Sequence, residues 1–125
     1  ENDELVATGH NQVIELQDPT AHAEIQAIRN ACKALKTKSL EGCVIYSSCQ
    51  PCPMCLSAIY WARIPRLVFS NDQQQAQSIG FDDAWIQEQL KLPLKVQALE
   101  SKHIPCSECE EAFELWRYFP DKTTY

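Results

Sequence analysis

The chain lacks the features that would mark a membrane or nucleic-acid protein. Its longest apolar stretch, residues 56–62, is far too short to cross a bilayer. Lys and Arg number 11 against 17 Asp and Glu, a net charge of −6, and the basic residues form no cluster. A phosphate-tracking surface needs such a cluster, so nucleic acid is not the expected partner and a small molecule is favoured. No repeat, low-complexity tract or interdomain linker interrupts the chain. No signal-like segment opens it at Glu1-Asn2-Asp3-Glu4, so a cytoplasmic protein is expected. The rest is ordinary for one globular domain: 125 residues, 45% hydrophobic and 22% charged.

Cysteine is plentiful by contrast. There are seven, an odd number, and Cys52 and Cys55 stand beside prolines at a metal-ligand spacing. Reduced thiols in a metalloprotein fit this better than a disulfide framework. Cys32 and Cys43 lie in apolar runs and read as small core residues.

Local patterns predict strands at residues 5–7, 43–48, 66–70 and 94–99. Asp18 reads as an N-cap and Pro19 as the first residue of a helix with Ala21, Ile25, Ile28, Cys32 and Leu35 at a period near 3.6. Pro53 opens a second helix, to about Arg63, and Pro65 ends it. A Gln-rich connection leads to Gly80-Phe81-Asp82-Asp83 and a helix to Leu90. A closing helix at 109–119 carries Phe113, Leu115, Trp116 and Phe119 mostly on one side. Strands alternating with helices predict an α/β sandwich whose helices cover a central sheet. Such a sheet calls for a strand and a helix before Leu5, and residues 1–4 look like a hairpin turn whose first arm lies outside this chain.

Two segments carry chemistry: Thr20-Ala21-His22-Ala23-Glu24 and Pro51-Cys52-Pro53-Met54-Cys55. Cysteines three apart at a helix start can point to one side, and the partial positive charge there favours thiolates. His22, Cys52 and Cys55 then supply three zinc ligands and leave a fourth position for water, whose pKa the metal lowers towards about 7. A zinc that only staples a fold would use four protein ligands. Glu24 is two residues from His22, which in mid-helix would turn it away; near a first turn the geometry is looser. The chemistry needs such a carboxylate to take a proton from water and return one to a leaving amine.

The combination H-x-E with P-C-x-x-C resembles the zinc signature of the cytidine deaminase superfamily. The stretches Asp18–Glu24 and Pro51–Cys55 look like its bacterial purine branch, which includes tRNA adenosine deaminases and small guanine deaminases. Gly80-Phe81-Asp82-Asp83 and the tail from Phe113 to Phe119, with Lys122 and Tyr125, resemble the guanine deaminases in particular. The resemblance implies a three-layer α/β/α sandwich with a central mixed sheet, in a single zinc-dependent deaminase domain over residues 1–125. It implies zinc at His22, Cys52 and Cys55, with Glu24 as proton carrier and Asp83 assisting at the amino group. Asn11 and His22 would contact a purine base, with Trp61 and Phe81 as apolar walls. Residues 106–125 would be exchanged in a homodimer, so that Tyr125 closes the partner's pocket.

Each of these residues has a plainer reading. Asn11 beside Gly9 suits a turn, and Asp82 or Asp83 suits an N-cap. Phe113 and Trp116 suit a core or an interface, and Tyr125 a frayed end. Cys106 and Cys109, with His103 nearby, fall outside the family pattern; the glutamates around them suggest an exposed helix start rather than a second zinc. The leading expectation is hydrolysis of guanine to xanthine and ammonia. A tRNA adenosine deaminase, a guanosine or amino-triazine deaminase and a non-catalytic zinc-binding interaction module are the alternatives.

Overall fold

The computed structural model describes residues 4–124. They fall into two compact units, one over residues 1–88 and one over 89–125.

The first unit begins with an extended segment that runs against a helix. Asn30 Nδ2 donates to the Thr8 carbonyl at 2.9 Å, and Gln12 N–H donates to the Ala21 carbonyl at 2.9 Å. Between these contacts lies Gly9, where an added Cβ would meet Ala23 O at 2.3 Å and Ala27 N at 2.4 Å. The backbone itself therefore packs on the helix, which requires glycine on one side and alanines on the other. Residues 5–7 are not a strand: a strand needs a neighbour to complete its ladder, and among the described residues the paired strands lie elsewhere in the chain.

A short helix, α1 (Val13–Leu16), precedes the Asp18–Thr20 turn. Asp18 Oδ1 accepts from the Thr20 N–H at 2.8 Å and the Thr20 hydroxyl at 2.7 Å, and these bonds hold its carboxyl below the usual range. Asp18-Pro19 thus closes a turn rather than opening a helix, because the side chain caps Thr20 two residues on. The helix α2 (Ala23–Leu35) starts later, with His22 as its N-cap.

Strand β1 (Val44–Cys49), helix α3 (Pro53–Trp61) and strand β2 (Arg66–Asn71) form a parallel βαβ unit. The register pairs Ile45 with Leu67, Tyr46 with Val68, Ser47 with Phe69 and Cys49 with Asn71. Ile45 is buried and Ser47 and Cys49 are half-buried on one face, while Tyr46 and Ser48 are exposed on the other. The described sheet has these two parallel strands only, so the expected central mixed sheet is not what is seen. Leu40, Cys43 and Ala62 form a buried cluster, packed by Ile28, Ala31, Cys32 and Ile64. The Leu40 N–H donates to the Ala62 carbonyl at 2.8 Å, tying the entry of β1 to the end of α3.

The Gln-rich connection contains a helix, α4 (Gln73–Ser78), made by a capping box in which Asp72 and Gln75 exchange side-chain and backbone bonds. Helix α5 (Asp83–Lys91) begins in the first unit and ends in the second. In the second unit, residues 94–99 form a short 3-10 turn at Leu94–Val96 followed by bends, not a strand. One backbone group that a ladder would use is taken by a side chain: Gln89 Oε1 accepts from Ala98 N–H at 2.7 Å, while Gln97 Nε2 reaches back to the Leu92 carbonyl at 3.0 Å. The closing helix is α6 (Ser107–Tyr118). Among the described residues, no helix is long and apolar enough to cross a membrane.

The contact at Gly9 makes the first prediction. Gly9→Ala drives a methyl into helix backbone, which cannot move aside as a side chain would. Overpacking of this kind costs about 1–3 kcal/mol. A lowered urea midpoint at unchanged slope is expected; an unchanged midpoint would mean that the segment does not pack on α2 in solution.

Candidate metal centre and active site

Two helix starts meet at this site. His22 is the N-cap of α2 in extended conformation (φ −68°, ψ 158°), and Cys52 is the N-cap of α3 (φ −62°, ψ 166°). Cys55 lies one turn into α3, after Pro53 has set the first helical residue. His22 Nδ1 lies 3.5 Å from Cys52 Sγ and 3.5 Å from Cys55 Sγ. The three ligand atoms all lie within 4.8 Å of one another, with both cysteines buried. Tetrahedral zinc with bonds of about 2.3 Å to sulfur and about 2.0 Å to nitrogen would place those atoms about 3.5 Å apart. The donor set is soft and borderline, as zinc prefers, and it leaves one tetrahedral position open.

The two thiols share their protons unequally. The hydrogen bond from Cys55 Sγ–H, the backbone N–H groups of Cys55 and Met54 at the helix start, and His22 pull Cys52 down to about 6. The same sulfur–sulfur bond, burial and the Glu24 carboxylate push Cys55 up. One sulfur is thus poised as thiolate at neutral pH, and the second gives up its proton on metal binding.

Glu24 stands at the second helical position of α2. Its Oε2 accepts from Cys55 Sγ at 3.5 Å and its Oε1 accepts from the Ser47 hydroxyl at 3.3 Å. Because His22 is an N-cap outside the helical backbone, the two-residue spacing does not separate the side chains: both reach Cys55. The sequence reading missed Ser47. Its signal was a polar residue in the inward register of β1, between Ile45 and Cys49.

Asp83 opens α5 and is half-buried. Burial, the Asp83 carboxylate and then the Glu24 carboxylate push the Cys49 thiol up, so both carboxylates bear on the end of β1. Asn11 Oδ1 accepts from the Val13 N–H at 3.0 Å, a turn contact, yet neighbouring Gln12 is bonded to Ala21 beside His22. Asn11 therefore sits as a turn residue close to the metal end of α2. Phe81 is exposed in the turn before α5.

Trp61 ends α3, nine residues after Cys52, which is about 13 Å along a helix axis. There it lines an open groove of about 800 Å³ with Ile25, Ile28, Cys32 and Lys36. The apolar stripe predicted for α2 thus partly faces this groove, while Gln26 is the residue buried on that helix. Tyr125 lies outside the described residues.

Metal analysis is expected to find one zinc per chain, lost in the double variant Cys52→Ala, Cys55→Ala. The sign of the pH dependence follows from Cys52. Its pKa is depressed to about 6, so protons compete with zinc for this sulfur only below that value. Chelator competition should show affinity falling more steeply with acidification below about pH 6 than above it. Zinc retained in full by the double variant would place the metal elsewhere.

Comparison with known proteins agrees with this geometry. The model of the cytidine and deoxycytidylate deaminase zinc-binding region matches residues 1–71. The chain is 40% identical to guanine deaminase of Bacillus subtilis over 97% of its own length and 78% of that protein. It is 51% identical to the tRNA-specific adenosine deaminase of Aquifex aeolicus over 54% of its length and 44% of that protein. The crystal structure of guanine deaminase from Bacillus subtilis superposes with a TM-score of 0.95 at 39% identity, covering 100% of this chain and 80% of that one. A guanine deaminase structure from Nitrosomonas europaea gives 0.56 at 31% identity, covering 60% of this chain and 44% of that one. The fold is the α/β fold of cytidine deaminases. With His22, Cys52 and Cys55 gathered as a group that could hold a metal ion, the chain belongs to the cytidine and deoxycytidylate deaminase zinc-binding family.

Proposed function

We propose that the protein hydrolyses guanine to xanthine and ammonia. The observation that carries this is the Glu24 carboxylate lying against Cys55 of a three-ligand metal group, with Ser47 holding its other oxygen. The choice of guanine rests on the higher identity to guanine deaminase over the whole length, 40% over 97% of the chain against 36% over 96% for a tRNA-specific adenosine deaminase of Buchnera aphidicola, and on the TM-score of 0.95 to a guanine deaminase structure. The net charge of −6 also favours a free base over tRNA.

Zinc at His22, Cys52 and Cys55 would supply a water acidified towards about pH 7. With zinc held there, Glu24 would carry both protons of the attacking water, the first to the ring nitrogen and the second to the leaving amino group, so one carboxylate would serve as base and acid in turn for each. Ser47 keeps Glu24 turned towards the ligands. Asp83, on the same side of β1, assists at the amino group. Asn11, whose Oδ1 is held by Val13, presents its amide nitrogen to the base, and Phe81 offers an apolar wall.

The reading extends to the assembly. The whole chain is covered by one solved deaminase, which supports a single domain over 1–125. Tyr46 and Val68, paired in register, are 76% and 46% exposed, which supports a second helical layer on that face and hence the three-layer sandwich. On α6, Phe113, Leu115, Trp116 and Phe119 are all exposed, and Trp116 stacks on Phe119 at 6.1 Å. Such an apolar face supports a homodimer in which residues 106–125 are exchanged and Tyr125 closes the partner's pocket. Seven free thiols support a cytoplasmic location.

Glu24→Gln tests the chemistry. Zinc should stay bound while guanine turnover, read as ammonia release, falls by about 10²–10⁴-fold or more. Near-normal turnover would remove Glu24 as the proton carrier. Ammonia release from tRNA but not from guanine would favour the adenosine reading.

Deleting residues 121–125 tests the exchange. The deleted chain should keep its zinc and fold yet lose base binding. Mixing it with the Glu24→Gln chain should restore activity, since the deleted chain's intact Glu24 borrows a tail. No recovery, or a fully active monomer, would show that each tail serves its own chain.

A further inference from the structure

The metal group uses two of the seven cysteines, and a second pair shares their spacing. Cys106-Ser107-Glu108-Cys109 is another C-x-x-C, and all seven cysteines are free thiols. Cys106 is the N-cap of α6 in extended backbone (φ −142°, ψ 121°), and Cys109 is the third residue of this 12-residue helix. Cys52 and Cys55 hold the same two positions on α3.

Groups at these two positions come into contact elsewhere in the chain. On α4, the Asp72 and Gln75 side chains each accept from the other residue's backbone N–H, at 2.9 and 2.8 Å. On α3, the Cys52 and Cys55 sulfurs lie within 4.8 Å of each other. On α6 both side chains are thiols. Cys106 Sγ donates to Glu108 Oε2 at 3.1 Å, and Cys109 is exposed. Among the described residues, the group of three or more metal-ligating side chains is the one at His22, so α6 presents a pair without a third ligand.

We propose that Cys106 and Cys109 form a redox-active dithiol, which a small disulfide of the oxidised-glutathione class converts to an intramolecular disulfide. Cys109, being exposed, attacks first as thiolate. The S–S bond of the small molecule breaks, a mixed disulfide forms on Cys109, and one small thiol leaves with the proton Cys109 gave up. Cys106 passes its proton to Glu108 and attacks the Cys109 sulfur, and the second small thiol leaves with that proton. Two electrons pass from the two cysteines to the small disulfide, which becomes two thiols. The pair lies in the unit over residues 89–125 and the metal ligands in the unit over 1–88. Its oxidation does not rest on the substrate assigned above, and zinc content is read separately in the test.

Trypsin releases residues 103–117 as one peptide carrying both thiols. The zinc-loaded protein is equilibrated with oxidised and reduced glutathione at rising ratios, quenched by alkylation and digested. The expected result is a peptide that loses two hydrogens and escapes alkylation, reversibly, while zinc stays bound. Cys106→Ser should stop at glutathione on Cys109. A wild-type peptide that remains doubly alkylated at every ratio would overturn the proposal, as would one that accumulates glutathione on Cys109. A second zinc that disappears with Cys106→Ser would overturn it too, by making the pair metal ligands. Failure of the zinc-site reading would appear instead as loss of zinc in an otherwise unchanged experiment.

Discussion

The convergence of one imidazole nitrogen on two sulfurs is the constraint around which the first unit is arranged. His22 comes from the start of α2, and both cysteines come from the start of α3, about thirty residues later. Nothing in the local chain brings these segments together. Their helix termini must be aligned side by side, and the 3.5 Å separations leave little freedom. Where a site is assembled from distant segments, the free energy of metal binding is also free energy of folding.

The packing that achieves the alignment is modest in size. Leu40, Cys43 and Ala62 form the buried cluster, and Ile28 and Cys32 of α2 lean on it. Small residues do much of the work. Ala21 and Cys55 are fully buried at the site, and Gly9 lets an extended segment touch the backbone of α2. The βαβ connection then fixes which end of α3 faces His22, because parallel strands put both strand ends, and the helix start that follows β1, on a defined side.

Charge is placed with the same economy. Cys52 sits where backbone N–H groups point outward and is held as thiolate, while Cys55 faces the Glu24 carboxylate and keeps its proton. The Cys52 sulfur and burial raise Cys55 most, and the Glu24 carboxylate adds to them. Glu24 is held by Ser47 from β1, so its carboxylate is aimed by the sheet as well as by its own helix.

The ligand types, the H-x-E and C-x-x-C spacings and the helix start at Pro53 were legible in the sequence, because each depends on neighbours within one turn of chain. The same locality explains the misreadings. Residues 5–7 and 94–99 read as strands from their apolar pattern, but a strand exists only with a partner, and neither segment has one among the described residues; in the second, the Gln89 side chain takes the Ala98 N–H instead. Asp18-Pro19 reads as a helix start, yet Asp18 turned to Thr20 and the helix began at Ala23. That shift mattered for function, since it made His22 an N-cap and allowed Glu24 to reach the same sulfur. The chemistry of the ligands was thus set by residue type and spacing alone. Which sulfur ionises first and which serine aims the glutamate were decided only when segments far apart in the chain packed together, because those are distances through space that no local pattern encodes.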